Sequence, residues 1–301
     1  MKVIVLTGGV GGAKLVLGLT QIMPPEDITA IVNTGDDFVH LGLPICPDID
    51  TLLYTLSGKA NAAQGWGREG ETWNFMAALM TLGGPDWFNL GDGDLALHLM
   101  RLTGGTKSET TARFAAAWGI GVAMLPMSDD CVATMIETDA GRLSFQSYFV
   151  EHRCAPVVRA ISFEGAAFAL PTEGLIGAIG GANIILIAPS NPWLSVDPIL
   201  AVPGIGDALR SAEAPVVAVS PIIGGEAVKG PTAKLMTELG LPVTNVSIAA
   251  HYGDILDGLL INIGDDAPRI AHAEADILML TFEDRARVAR AALSLAQTLR
   301  R

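Results

Sequence analysis

The dominant pattern along the chain is a short apolar run followed directly by a glycine-rich or polar stretch. Val3 to Thr7 reads VIVLT and leads into GGVGG. Ile28 to Asn33 reads ITAIVN and leads into TGDD. Ile184 to Ala188 reads IILIA and leads into PSNP, and Val216 to Ser220 reads VVAVS and leads into PIIGG. Continuous short apolar runs predict strands of a parallel sheet buried on both faces. Between the runs, spacing predicts helices over 13–22, 50–56, 71–82, 95–102, 108–118, 230–239, 249–256 and 283–299. The expected fold class is α/β, a Rossmann-like, mostly parallel sheet covered by helices on both faces. Ligands of such sheets sit beyond the carboxyl ends of the strands, which is where all four polar stretches would lie.

The rhythm breaks over 131–168. VATMIET, an Asp139-Ala140-Gly141 turn and RLSFQSYFV predict an antiparallel hairpin, with VVRAISFEG as a further strand. Residues 128–171 are therefore expected to form a small β-rich insertion. Residues 1–127 and 172–301 are expected to make up one α/β nucleotide-binding core. The stretch Gly174 to Val196 carries no charge, but it holds four glycines and the sequence Pro-Ser-Asn-Pro. A membrane-spanning helix would not carry those residues, so a buried strand followed by a loop is expected.

Composition narrows the function classes. Asp plus Glu outnumber Lys plus Arg by 32 to 19, a net charge of −13. That balance argues against binding nucleic acid or an anionic membrane surface. Half the residues are hydrophobic and 17% are charged, so a large core is available and disorder is excluded. Three scattered cysteines, Cys46, Cys131 and Cys154, suggest no disulfide framework and fit reduced thiols in the cytoplasm. No basic segment followed by a cleavage site opens the chain, so no signal peptide is expected.

Six groups of residues could carry chemistry. Gly8, Gly9, Gly11 and Gly12 stand between a strand and a helix, where backbone amides and the helix terminus favour an anion. Lys14 could add a charge. The run matches neither the dinucleotide fingerprint nor a Walker A loop. Asp36, Asp37, Asp48 and Asp50 crowd one stretch, as a hard cation such as Mg²⁺ requires. Each alone could equally be a turn residue or a helix cap. Asp92 and Asp94 are either further metal ligands or a turn and a cap. Arg101 would bind phosphate or pair with a carboxylate. Trp66, between Gly65 and Gly67, could stack on a flat ring or anchor a loop. Ser190 and Asn191 follow one strand, and Ser220, Gly225 and Lys229 follow another. They offer donors and acceptors for bases, sugars and phosphates, with connecting loops as the alternative.

GGVGGAKL, NTGDD, PDIDTLLY, GWG, LGDGDLALHLMR, PMSDD, FQSYFV, PSNPWLSVDPIL and SPIIGGEAVKGPTAKLM occur in this order from residue 6 to about 255. Together they resemble the 2-phospho-L-lactate transferase family, which builds the deazaflavin coenzyme F-420. Leu97 stands where that family usually has Thr. The resemblance implies transfer of a phospho-three-carbon-acid group (2-phospholactyl, phosphoenolpyruvyl or phosphoglyceryl). The donor would be a guanosine diphosphate and the acceptor the ribityl hydroxyl of Fo, 7,8-didemethyl-8-hydroxy-5-deazariboflavin. GMP would leave, and Mg²⁺ is the implied cofactor. Asp48 and Asp50 would be the catalytic carboxylates, with Asn33 and the glycine loop beside the phosphates. Trp66 would wall the deazaflavin, and Asn191, Ser220 and Lys229 would face the guanosine. A homodimer is a family-level expectation. Two rival readings remain: a regulatory protein of the same fold that binds a nucleotide sugar without transfer, and a nicotinamide oxidoreductase, which the failed fingerprint weakens.

Overall fold

The computed structural model describes residues 1–228 and 230–299. In chain order the first half comprises β1 (Val3–Thr7), α1 (Gly9–Thr20), β2 (Ile28–Val32), β3 (Phe38–His40), β4 (Leu43–Ile45), α2 (Pro47–Leu56), α3 (Asn74–Thr81), α4 (Asp92–Leu102), α5 (Lys107–Ala117) and β5 (Ala123–Pro126). Next come β6 (Ala133–Thr138), β7 (Gly141–Ser144) and β8 (Val158–Glu164), then α6 (Leu175–Gly180), β9 (Ile184–Ile187), α7 (Asp197–Leu200), α8 (Ile205–Arg210) and β10 (Val216–Val219). The chain closes with β11 (Ile222–Ile223), β12 (Glu226–Ala227), α9 (Thr232–Glu238), α10 (Asn245–Tyr252), β13 (Gly258–Asn262), β14 (Ala271–Ala275) and α11 (Phe282–Thr298).

Seven strands form one sheet in the order β14-β13-β10-β9-β1-β2-β5, and every neighbouring pair is parallel. The apolar runs explain it. Every residue of β1, β9 and β10 is buried, and alternate side chains enter two different cores. Ile4, Leu6, Ile31, Ile185 and Ile187 join one cluster; Val3, Val5, Ala30, Val32, Ile184 and Leu186 join the other. Helices cover both faces, so the parallel sheet is sealed from water on each side. Strand order reverses at β1, which pairs with β2 on one side and β9 on the other. A crevice opens at such a switch point.

Between β5 and α6 lies the antiparallel sheet β7-β6-β8. It shares the main core: Ile136, Tyr148 and Val158 join the cluster of Ile4 and Leu6. The expected long hairpin strand is shorter than its sequence. After Ser144 the chain winds helically over Ser147–Glu151, and Phe145 stacks on Phe149 at 5.3 Å, a spacing of four residues that a helix brings together. The uncharged stretch also departs from expectation. It opens with α6 before β9, and its loop winds into a helical turn at Pro192–Val196, capped by Asn191 Oδ1. No helix among the described residues is long and apolar enough to cross a membrane.

Several helices begin earlier than the hydrophobic spacing predicts. α1 starts at Gly9, α2 at Pro47, α4 at Asp92 and α10 at Asn245. Apolar periodicity begins only where a helix meets the core. First turns that stand out beyond the sheet carry glycine and carboxylates instead, and three of these four turns hold candidate site residues.

Candidate active site

The switch point is built by close approach. Gly8 precedes α1 in extended conformation and has no side chain to cap it. Ser190, just past β9, takes its place: Ser190 Oγ accepts the Gly8 N–H at 3.2 Å and donates to the Gly8 carbonyl at 2.7 Å. A Cβ on Gly11 would lie 2.7 Å from the Pro189 carbonyl oxygen, and one on Gly12 would overlap Thr7 Oγ1. These glycines are therefore required for packing between β1, β9 and α1. Gly9 differs. It sits in the left-handed region at φ +62, and a Cβ there would meet nothing within 4 Å. The open face of the first turn of α1 is at Gly9. Lys14, expected beside a phosphate, donates instead to the Met279 carbonyl at 2.8 Å.

Asp48 projects from the first turn of α2 onto this turn. Its Oδ1 accepts the Gly9 N–H at 2.7 Å and its Oδ2 accepts from Asn33 Nδ2 at 2.9 Å. Asn33 Oδ1 in turn accepts the Gly35 N–H at 2.8 Å, so Asn33 links Asp48 to the turn carrying Asp36 and Asp37. Burial pushes the Asp48 carboxyl up to about 6, against the opposing pull of the Asn33 and Gly9 bonds. Asp36 is buried and its Oδ1 has no hydrogen-bond partner. Burial, with the nearby charge of Asp48, holds it well above the ordinary carboxylate range. Asp37 is ion-paired to Lys107 Nζ at 2.8 Å.

The remaining acids are engaged elsewhere. Asp50 is gripped by the Arg101 guanidinium, with Nη1 to Oδ2 at 2.9 Å and Nη2 to Oδ1, and His98 Nδ1 stands 4.0 Å away. Arg101, expected at a phosphate or a carboxylate, is on the carboxylate and is itself buried. Asp92 caps α3 by accepting the Asn74 and Phe75 N–H groups at 3.2 and 3.1 Å and the Thr72 hydroxyl at 2.6 Å. Asp94 accepts the Tyr54 hydroxyl. The six carboxylates expected around a metal thus do not converge. Among the described residues no group of three or more His, Cys, Asp or Glu is poised to hold an ion. What does face a cation-sized need is the Asp36–Asp48 pair. Mg²⁺ commonly takes one or two carboxylates and completes its shell with phosphate oxygens and water, so the pair fits it.

Comparison with known proteins settles the family. The model described as 2-phospho-L-lactate transferase CofD matches residues 3–294. The chain belongs to the 2-phospho-L-lactate transferase family. It is 43% identical to a phosphoenolpyruvate transferase of Kitasatospora aureofaciens over 318 residues, covering 100% of this chain and 99% of that one. A phosphoenolpyruvate transferase of Streptomyces griseus is 42% identical over 317 residues, covering 100% of both chains. One from Mycolicibacterium smegmatis is 38% identical, covering 98% of this chain and 99% of its own. A solved structure of a UPF0052-family protein from Bacillus halodurans shares the fold, with a TM-score of 0.66 at 19% identity, covering 97% of this chain and 98% of that one.

In this chain the remaining predicted residues are spread along the carboxyl edge and beside it. Asn191 Nδ2 donates to Thr232 Oγ1 at 3.0 Å, tying the loop after β9 to α9. Ser220 Oγ donates to Asn245 Oδ1 at 2.5 Å at the end of β10. Gly225 sits in the β11–β12 turn at φ +77, with open space around a would-be Cβ. Lys229 lies outside the described residues. Trp66 is 54% exposed and lines a cavity of about 390 Å³ with Trp73, Met80, Gln64 and Asn89.

Sequence reasoning passed over Lys107, Tyr54 and Glu71. Glu71 Oε2 accepts the Gly93 N–H at 2.6 Å, so it caps α4. Lys107 did leave a signal. Thr106 and Glu109 form a capping box, which places Lys107 at the first helical position. A cation there opposes the helix dipole, so a nearby carboxylate is to be expected.

Proposed function

We propose that this chain transfers a phosphoenolpyruvyl group from a guanosine diphosphate carrier to the ribityl hydroxyl of Fo, releasing GMP, with Mg²⁺ as the cation. The single observation that carries the site assignment is the buried Asp36–Asp48 pair against the open first turn of α1 at the switch point. Full-length relatives named phosphoenolpyruvate transferase support the enolpyruvyl group over the lactyl or glyceryl one.

The first turn of α1 offers its partial positive charge to the diphosphate. Asp36 and Asp48 would hold Mg²⁺, which supplies neutralising charge to the diphosphate and the departing GMP. In the transfer, the ribityl oxygen forms a bond to the β-phosphorus. The bond from that phosphorus to the bridging oxygen breaks, and GMP carries the electron pair away. The hydroxyl proton goes to a carboxylate of the pair. Asp48 is the better acceptor, because two donated hydrogen bonds favour its ionised form. Asp50 acts at one remove. Its bond to Arg101 fixes α2 on α4, and α2 carries Asp48.

Incubating the protein with Mg²⁺ and the enolpyruvyl, lactyl or glyceryl donor, with and without Fo, tests this reading. GMP should appear only when Fo is present, the enolpyruvyl donor should turn over fastest, and mass spectrometry should find the matching Fo conjugate. Excess chelator should stop the reaction. Nucleotide binding with no GMP release under any condition would instead support the regulatory binder.

A further inference from the structure

The acidic turn carries more charge than a magnesium site needs. Asp36, Asp37 and Asp48 are mutually close enough for each charge to act on another, and Asp36 and Asp37 are neighbours in the chain. A bare site with three carboxylates would carry one negative charge in excess of a divalent cation and leave fewer positions for phosphate oxygens. Mg²⁺ sites that act on phosphates usually use one or two carboxylates.

Lys107 pairs with Asp37. Its Nζ lies 2.8 Å from Asp37 Oδ2, and both side chains are largely buried, at 16% and 14% exposure. Its delivery point is rigid. Lys107 opens α5, whose start is held by the Thr106–Glu109 capping box. The loop after β5 holds it again: Asp129 accepts the Ser108 N–H and the Ser108 hydroxyl, both at 2.7 Å. Arg101 is no substitute, because its fork is taken by Asp50.

We propose that Lys107 is a positioning residue that holds Asp37 out of the cation site, leaving Asp36 and Asp48 as the protein carboxylates and the rest of the shell to substrate phosphates. This rests on the reading of the Asp36–Asp48 pair as the cation site. It makes Asp37 a partner of Lys107 and not a ligand, although it sits beside one.

Binding of Mn²⁺ alone, followed by electron paramagnetic resonance without nucleotide, tests the proposal. Lys107→Met should free Asp37 and tighten Mn²⁺ by about tenfold or more, since added ligand charge raises affinity. Lys107→Arg keeps the ion pair and should match the wild type, as should the Lys107→Met, Asp37→Asn double variant. Asp37→Asn alone should leave Mn²⁺ affinity near the wild-type value. The double and single Asn variants keep the test open if Lys107→Met folds poorly. Unchanged or weaker Mn²⁺ binding in folded Lys107→Met, or a tenfold loss in Asp37→Asn, would overturn the role of Lys107. Asp36→Asn and Asp48→Asn report on the underlying reading. If both bind Mn²⁺ as the wild type does, the cation site itself is misplaced and the proposal falls with it. If they lose it while Lys107→Met gains nothing, only the Lys107 inference fails.

Discussion

Two sets of aspartates are satisfied in opposite ways. In the first, Asp36 and Asp48 are buried beside an open helix turn, and Asp36 keeps an oxygen without a partner. In the second, Asp50, Asp92 and Asp94 are each matched: a guanidinium, a helix terminus and a phenol hydroxyl. Asp48, Asp50, Asp92 and Asp94 all lie in first turns of helices. Position and residue type therefore do not separate a chemical carboxylate from a structural one. A buried acceptor left open, as on Asp36, carries a cost that a ligand or proton would relieve.

The widest gap between the clusters should appear at Arg101. Arg101→Met leaves Asp50 buried without its counter-charge and should lower unfolding free energy by about 3–5 kcal/mol in denaturant titration. A variant as stable as the wild type would remove the structural label from the second cluster. Asp48→Asn should do the reverse, with turnover down by at least ~100-fold and melting near normal. Near-normal turnover would erase the distinction from the other side. The smallest effect is one of sign. Asp48 has a raised folded value of about 6, so its contribution to stability is present below the ordinary value of 3.8 and is lost as pH rises through about 6. Asp92 is lowered to about 2, chiefly by the Thr72 hydroxyl and the Phe75 N–H, so its contribution is present above 3.8 and is lost as pH falls through about 2. Melting curves of Asp48→Asn should gain on the wild type between pH 4 and 7. Those of Asp92→Asn should trail the wild type at neutral pH and converge with it near pH 2. Parallel trends in both would refute the assignment.

Much of the frame was legible without coordinates. The apolar runs at β1, β2, β9 and β10 located the centre of the sheet, and the polar stretches after them located its carboxyl edge. Which acid is open and which is occupied was not legible, because the partners are not local. Asp48 finds Asn33 15 residues away, Asp92 finds Asn74 18 away, and Asp50 finds Arg101 51 away. No periodicity encodes such pairings. The packing role of the glycine run was hidden for a related reason. Gly11 and Gly12 look free in sequence, but the loop after β9 presses on them from more than 170 positions along the chain.

The Gly8–Ser190 contact also sets a clock on synthesis. Its two residues are 182 positions apart. At ribosomal rates of about 5–20 residues per second, Gly8 waits about 10–40 s for its partner to be made. Until then β1 has only β2 as a central neighbour, and the floor of the crevice is missing. A growing chain therefore cannot present a finished crevice, and truncation before Ser190 yields a polypeptide with the acidic turn but an incomplete switch point.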